Sequence, residues 1–165
     1  MRTYEIDAVK KIAQEMLEKL LPSSVYIKIK YLRDITPLET ISVGNMIDLR
    51  AGENIEMKKG EFKIIPMGVA MELPKGFFAE VYPRSSTFKK YHILMANSVG
   101  VIDSAYCGDD DEWGFVAYAV EDTTIPKDTR IAQFRIVKSQ PSITFKIVEH
   151  LGNKARGGFG STGEK

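Results

Sequence analysis

The sequence predicts an all-β domain, a barrel or a sandwich, with one amphipathic helix added at its N-terminus. Three observations carry this expectation. Apolar residues fall at helical spacing only near the start of the chain. From Val25 they alternate in the manner of a strand. Short apolar runs then recur between Pro and Gly breakers, with no helices regularly interspersed.

The helix comes first. Val9, Ile12, Ala13, Met16, Leu17, Leu20 and Leu21 follow the i, i+3, i+4, i+7 spacing of one apolar face. Lys10, Lys11, Gln14, Glu15, Glu18 and Lys19 take the opposite face, and Pro22 stops the run. Such a stripe is what any surface helix packed on a domain shows. Val25, Ile27, Ile29 and Tyr31 then alternate with Tyr26, Lys28 and Lys30. Further strands are expected over Phe62–Ile65, Gly68–Leu73, Phe77–Tyr82, His92–Ala96, Phe115–Val120, Ile131–Val137 and Ile143–Val148. Pro66, Pro74-Lys75-Gly76, Pro83, Gly108, Pro126 and Pro141 punctuate them. The end of the chain is of another kind: five of its 13 glycines lie in the last stretch, GNKARGGFGSTGEK. Composition alone reads this as a disordered end.

At 165 residues the chain suits one domain with a proper core. Lys and Arg number 23 against 22 Asp and Glu, a net charge of +1, which gives no electrostatic footprint for duplex nucleic acid. The single cysteine, Cys107, excludes an internal disulfide and fits a reducing compartment. The opening residues are polar where a signal peptide needs an apolar core, and no apolar run approaches the roughly 20 residues that span a bilayer. A soluble cytoplasmic protein is expected, with no nucleic-acid or membrane partner.

Three stretches carry chemistry. Pro83-Arg84-Ser85-Ser86-Thr87 follows a strand and supplies one guanidinium and three hydroxyls, groups that suit a phosphate or simply a solvated turn. Gly100-Val101-Ile102-Asp103-Ser104-Ala105-Tyr106-Cys107-Gly108 delivers an Asp at the end of a strand with a Tyr three residues on. These fit a general base and a flat wall for a ring, or an Asp-initiated turn with a packed Tyr. Arg156-Gly157-Gly158-Phe159-Gly160-Ser161-Thr162-Gly163 joins a cation, hydroxyls, bare backbone N–H groups and one aromatic.

The order of these stretches resembles a known family. Asp48-Leu49-Arg50-Ala51, then PRSS, GVIDSAYCG, Arg130-Ile131-Ala132-Gln133 and a terminal GGFGSTG are similar to the five motifs of trimeric dUTPases. The likeness covers about residues 25–165. The stretches GDDDEWGF and EHLGN make it similar to dUTPases of Gram-positive bacteria and their phages. The resemblance implies a distorted jelly-roll-like β-barrel over residues 25–151. It leaves residues 1–24 as a helical extension and 152–165 as a flexible arm that closes the active site.

It also implies hydrolysis of dUTP to dUMP and pyrophosphate, which keeps uracil out of DNA and supplies dUMP for dTMP synthesis. Asp103 would activate a water for in-line attack on the α-phosphorus. Tyr106 would pack against the deoxyribose and exclude a 2′-hydroxyl. Asn97, Gly100, Val101 and Ile102 would read the uracil edge. Arg84, Ser85, Ser86 and Gln133 would hold phosphates, with Asp48 in support. Phe159 would close over uracil, while Arg156, Gly160, Ser161 and Thr162 reach the β- and γ-phosphates. Magnesium would be chelated by the triphosphate and water, with no direct protein ligand. The working form would be a homotrimer with shared active sites, the tail of one subunit covering a pocket made by the other two.

The sequence departs from the family in three places. The first motif reads Gly44-Asn45-Met46-Ile47-Asp48-Leu49 in place of Asp-Ala-Gly-aromatic-Asp-Leu. Lys154 takes the usual place of the tail arginine, two residues ahead of Arg156. Cys107 and Asp109-Asp110-Asp111-Glu112-Trp113 replace and extend the usual Arg-Gly after Tyr106. Two rivals stand beside the dUTPase reading. A dCTP deaminase of the same fold would carry a Glu in the strand after the third motif, and Phe115-Val116-Ala117-Tyr118 has none. A nucleotide-dependent regulator would bind a protein partner, with the N-terminal helix as its natural surface.

Overall fold

The computed structural model describes residues 25–40 and 43–157. The expected helix within residues 1–24 lies outside them, as do Phe159, Gly160, Ser161 and Thr162. In chain order the described elements are β1 (Lys28–Tyr31), β2 (Ile47–Arg50), β3 (Ile55–Met57), β4 (Phe62–Pro66), β5 (Val69–Glu72) and β6 (Phe77–Pro83). A short helix, α1 (Thr87–Tyr91), follows. Then come β7 (Ile93–Met95), β8 (Gly100–Ile102), β9 (Gly114–Ala119), β10 (Thr123–Ile125) and β11 (Arg130–Lys138).

The all-β expectation holds. Every pairing is antiparallel, in four small sheets ordered β1-β5, β3-β10, β2-β11-β6-β8 and β4-β9-β7. Period-two patterning explains the inner faces. Ala79 and Val81 of β6, Phe115 and Ala117 of β9, and Ile93 and Met95 of β7 are buried while their neighbours are not. Trp113 and Phe134 meet edge to face at the centre, with centroids 5.1 Å apart. Trp113 is therefore core, although its indole Nε1 is buried without a partner. No described helix is long and apolar enough to cross a membrane.

The sheet that matters most is β2-β11-β6-β8. Its long strand β11 pairs with β2 on one side (Gln133↔Asp48) and β6 on the other (Gln133↔Tyr82). β6 in turn pairs with β8 (Ala79↔Ile102), which forms the sheet's edge.

One sequence expectation fails here. Ile143–Val148 alternates like a strand but forms none, and Ile143, Phe145 and Ile147 are 55%, 89% and 96% exposed. Among the described residues no strand pairs with it, and an isolated extended segment leaves its backbone groups to water.

Candidate active site

Three of the five motif stretches, Asp48–Ala51, Pro83–Ser86 and Arg130–Gln133, converge at one end of the four-stranded sheet. β6 ends at Pro83, and the chain turns so that the Arg84 N–H donates to the Ile131 carbonyl on β11 at 3.2 Å. Thr87 secures the turn: it is fully buried, and its hydroxyl donates to the same carbonyl at 2.6 Å. The Pro-Arg-Ser-Ser-Thr stretch thus offers two outward hydroxyls rather than three. Ser85 is exposed, and Ser86 sits at the start of α1 without a side-chain bond to the helix.

Asp48 faces this turn from β2. One carboxylate oxygen forms an ion pair with Arg84 Nε at 2.7 Å, and the other accepts from Arg130 Nη1 at 3.1 Å. Arg50, two residues on, donates to the Asp128 carbonyl at 2.9 Å. The three arginines, Asp48, Leu38, Glu39, Thr40, Val43 and Met46 line a recess of about 290 Å³. Gln133 lies in register with Asp48 and donates to the Pro83 carbonyl at 3.2 Å. Three guanidiniums against the carboxylates of Asp48 and Glu39 leave an excess of forked donors, a setting for phosphate oxygens. Arg50 and Arg130 lie inside the quoted motifs but carry no role in the sequence reading. The signal for them was their motif membership, and their common focus on one recess needed the fold.

The second group of residues stands elsewhere. The turn Asn97-Ser98-Val99 precedes β8, with Ser98 at φ +62° and the Val99 N–H donating to the Asn97 carbonyl at 2.7 Å. Gly100 has no room for a side chain, since a Cβ would lie 2.9 Å from Met95 Cε and 3.2 Å from Val81 Cβ. As an edge strand, β8 leaves one side of its Gly100-Val101-Ile102 backbone unpaired, which suits recognition of a planar ring edge by backbone groups. Asp103 follows. Its Oδ1 accepts from the Ala105 N–H at 2.9 Å, an Asx turn that fixes the exposed carboxylate. Tyr106 stacks its own turn on this one and donates its hydroxyl to the Glu112 carbonyl at 3.1 Å. Phe78, Val101, Asp103, Ser104, Val137 and Lys138 border a broad depression of about 460 Å³.

The two groups do not meet within the chain. Asp103 leaves β8 opposite Phe78, whereas Arg84 leaves the other end of β6. Six residues of strand separate these points, about 20 Å. Asp48 and Asp103 also sit at opposite edges of the sheet. Lys154 and Arg156 lie in an exposed stretch. Glu112, the acid just before β9, is engaged by Arg33 and by the Gly68 N–H.

The family model described as dUTPase matches residues 30–163. The chain is 54% identical over 140 residues to the SPbeta prophage-derived deoxyuridine 5'-triphosphate nucleotidohydrolase YosS of Bacillus subtilis (strain 168), covering 84% of this chain and 99% of that one. It is 39% identical over 120 residues to the deoxyuridine 5'-triphosphate nucleotidohydrolase of Escherichia phage T5, covering 72% and 76%. Among solved structures it is similar to the Staphylococcus bacteriophage 80alpha dUTPase with dUPNHPP, at a TM-score of 0.72 and 21% identity over 85% of this chain and 99% of that one. It is also similar to dUTPase from Streptococcus mutans, at a TM-score of 0.63 and 20% identity over 70% and 98%. At these identities the structural likeness speaks for the fold, which is the jelly-roll-like barrel expected from the motifs.

Proposed function

The chain belongs to the dUTPase family and is a dUTP diphosphatase, and on that premise we propose that each of its active sites is assembled between copies of the chain in a homotrimer. The observation that carries this reading is the split just described. An arginine cluster fit for phosphates and an Asp fit for base catalysis stand about 20 Å apart along β6, too far to share one substrate. A second copy supplies the missing half. The exposed Ile143, Phe145, Ile147 and Leu151 support the same reading, because apolar side chains in series on an unpaired segment suit burial on another copy.

In the assembled site Asp103 accepts a proton from a water whose oxygen attacks the α-phosphorus. The bond from that phosphorus to the α,β-bridging oxygen breaks, and pyrophosphate leaves with the electron pair. Arg84, Ser85, Ser86 and Gln133 hold the phosphates, with Asp48 keeping the guanidiniums in place. The edge of β8, with Asn97, reads uracil, and Tyr106 packs on the deoxyribose. The arm over residues 152–165, including Arg156, Phe159, Gly160, Ser161 and Thr162, closes on a site of the trimer and excludes bulk water. The body spans residues 25–151, with residues 1–24 as an added helix.

Magnesium fits these residues as an ion carried in by the substrate. Among the described residues no three His, Cys, Asp or Glu side chains converge, and both Asp48 oxygens are already paired with guanidiniums. Bound to the triphosphate and water, it would neutralise charge developing on the phosphate oxygens. The enzyme would work in the cytoplasm, removing dUTP and supplying dUMP for dTMP synthesis.

Pyrophosphate release from dUTP, dTTP, dCTP and UTP with magnesium, for the native chain and Asp103→Asn, tests this reading. Release confined to dUTP and abolished by the substitution is expected. Ammonia release from dCTP would transfer the chain to the deaminase reading, and full activity of Asp103→Asn would remove the assigned base.

A further inference from the structure

The loop between Tyr106 and Trp113 is held far more firmly than an acidic surface insert requires. Glu112 is its anchor. Its carboxylate accepts from Arg33 Nε at 2.6 Å and Arg33 Nη2 at 3.1 Å, a two-pronged pairing, and from the Gly68 N–H at 2.9 Å. The pair is partly shielded from water, with Arg33 33% and Glu112 22% exposed. Arg33 is itself fixed. Its Nη1 donates to Glu53, and a Cβ at Gly52 would come within 2.5 Å of Arg33 Cδ. Gly68, at φ +73°, gives a second close approach: its Cβ would lie 3.4 Å from Arg33 Cβ. Directly after Glu112, the Trp113 N–H donates to the Val69 carbonyl at 2.8 Å, and its carbonyl accepts from the Met67 N–H at 2.8 Å. At the other end the Gly108 N–H donates to Asp111 Oδ2 at 2.6 Å, and Lys30 Nζ lies 3.5 Å from Asp109.

Tyr106 links this loop to the assigned substrate side: its N–H donates to the Asp103 carbonyl at 3.0 Å, while its side chain reaches back into the loop. The ring is 41% exposed, so packing alone does not fix its rotamer, and its hydroxyl donates to the Glu112 main-chain carbonyl at 3.1 Å. That carbonyl cannot drift while the Glu112 side chain is clamped by Arg33 and Gly68.

We propose that Arg33 and Glu112 are positioning residues for nucleotide selection: by fixing the carbonyl that holds the Tyr106 hydroxyl, they keep the ring where a ribose 2′-hydroxyl would collide with it. The inference rests on the reading of Tyr106 as the wall against the sugar. Exclusion of one added oxygen by a wall is only as strict as the wall is stiff, because a ring free to swing aside admits the larger sugar at small cost. Neither residue touches substrate, and Arg33 lies 73 positions from Tyr106 in the sequence.

The test is the ratio of kcat/KM for dUTP to that for UTP, measured with Arg33→Met, Glu112→Ala, Tyr106→Phe and Tyr106→Ala in the full chain. Arg33→Met and Glu112→Ala are each expected to lower the ratio by about tenfold, mostly by raising turnover of UTP, while kcat on dUTP stays within about threefold, and Tyr106→Phe is expected to lower the ratio by a similar factor. Tyr106→Phe combined with Glu112→Ala should lower it no further than either alone, since both break one path. Glu112→Gln keeps an acceptor for Gly68 and provides a milder reading should Glu112→Ala fail to fold. If Tyr106→Ala leaves the ratio intact, the sugar-wall reading itself fails. If Tyr106→Ala relaxes the ratio but Arg33→Met and the Glu112 variants do not, the wall stands and the proposal is overturned. A fall in activity on both nucleotides with a constant ratio would mark the clamp as purely structural and also overturn it.

Discussion

Asp48 holds Arg84 with one oxygen and Arg130 with the other, and it stands at the hinge of the phosphate-facing cluster. Two guanidiniums aimed at one recess repel each other unless a negative charge lies between them. The carboxylate is 27% exposed, so water screens it incompletely. Replacing it with the isosteric amide keeps the shape and removes the charge. Asp48→Asn is therefore expected to leave both arginines loosely placed, at a cost of about 1–3 kcal/mol. Steady-state kinetics should show kcat/KM for dUTP lower by about tenfold or more, at 1.4 kcal/mol per decade. Unchanged kinetics would mean that substrate phosphates organise the arginines without help. The same logic separates Thr87 from its neighbours Ser85 and Ser86. Its hydroxyl closes the turn onto β11, so Thr87→Val should lower Tm, whereas Ser85→Ala should act on substrate affinity.

Among the elements, the turn before β11 shows how short strands without much core are kept in place. Asp128, at φ +68°, reaches back to the segment before β2: its carboxylate accepts from the Thr36 N–H at 2.8 Å and the Thr36 hydroxyl at 2.5 Å. The hydroxyl bond, then the amide bond, and more weakly Arg50, hold the Asp128 carboxyl below the usual carboxylate range. A carboxyl depressed in the folded state contributes stability above its unfolded pKa, and the contribution fades as pH falls through the folded value. Urea unfolding of the native chain should thus lose stability below about pH 4. In Thr36→Val that loss should be smaller, starting from a lower stability at neutral pH. Equal acid sensitivity of the two proteins would show that Thr36 is not what anchors Asp128.

On the scale of the molecule, the distance between Arg84 and Asp103 makes a prediction that no single-site substitution can. If each active site draws these residues from different copies, two inactive chains repair one another. Arg84→Ala and Asp103→Asn, each expected to be near inactive alone, should recover activity when unfolded together and refolded as a mixture. Random assembly gives a native residue at both positions in roughly a quarter of the sites, so about that fraction of native activity is expected. No recovery despite mixed oligomers would place both residues in one copy's site and overturn the shared-site reading.

The sequence by itself determined what local rules can carry. Period-two alternation located β1, and short apolar runs between Pro and Gly breakers located β4, β5, β6, β7, β9 and β11. The sequence reading missed β2, β3 and β10, which carry at most two apolar residues each and so form no apolar run. The motifs pointed to the dUTPase family because their residue types and order are written along the chain. Tertiary structure decided the rest. Asp48 meets Arg130 across 82 positions, and Glu112 meets Arg33 across 79, and no local window holds both members of either pair. The Thr87 hydroxyl, counted as available from its neighbours alone, is consumed by a carbonyl 44 residues away. Ile143–Val148 shows the same limit from the other side: alternation states that a segment can be a strand, but only a neighbouring edge makes it one, and the described residues provide none.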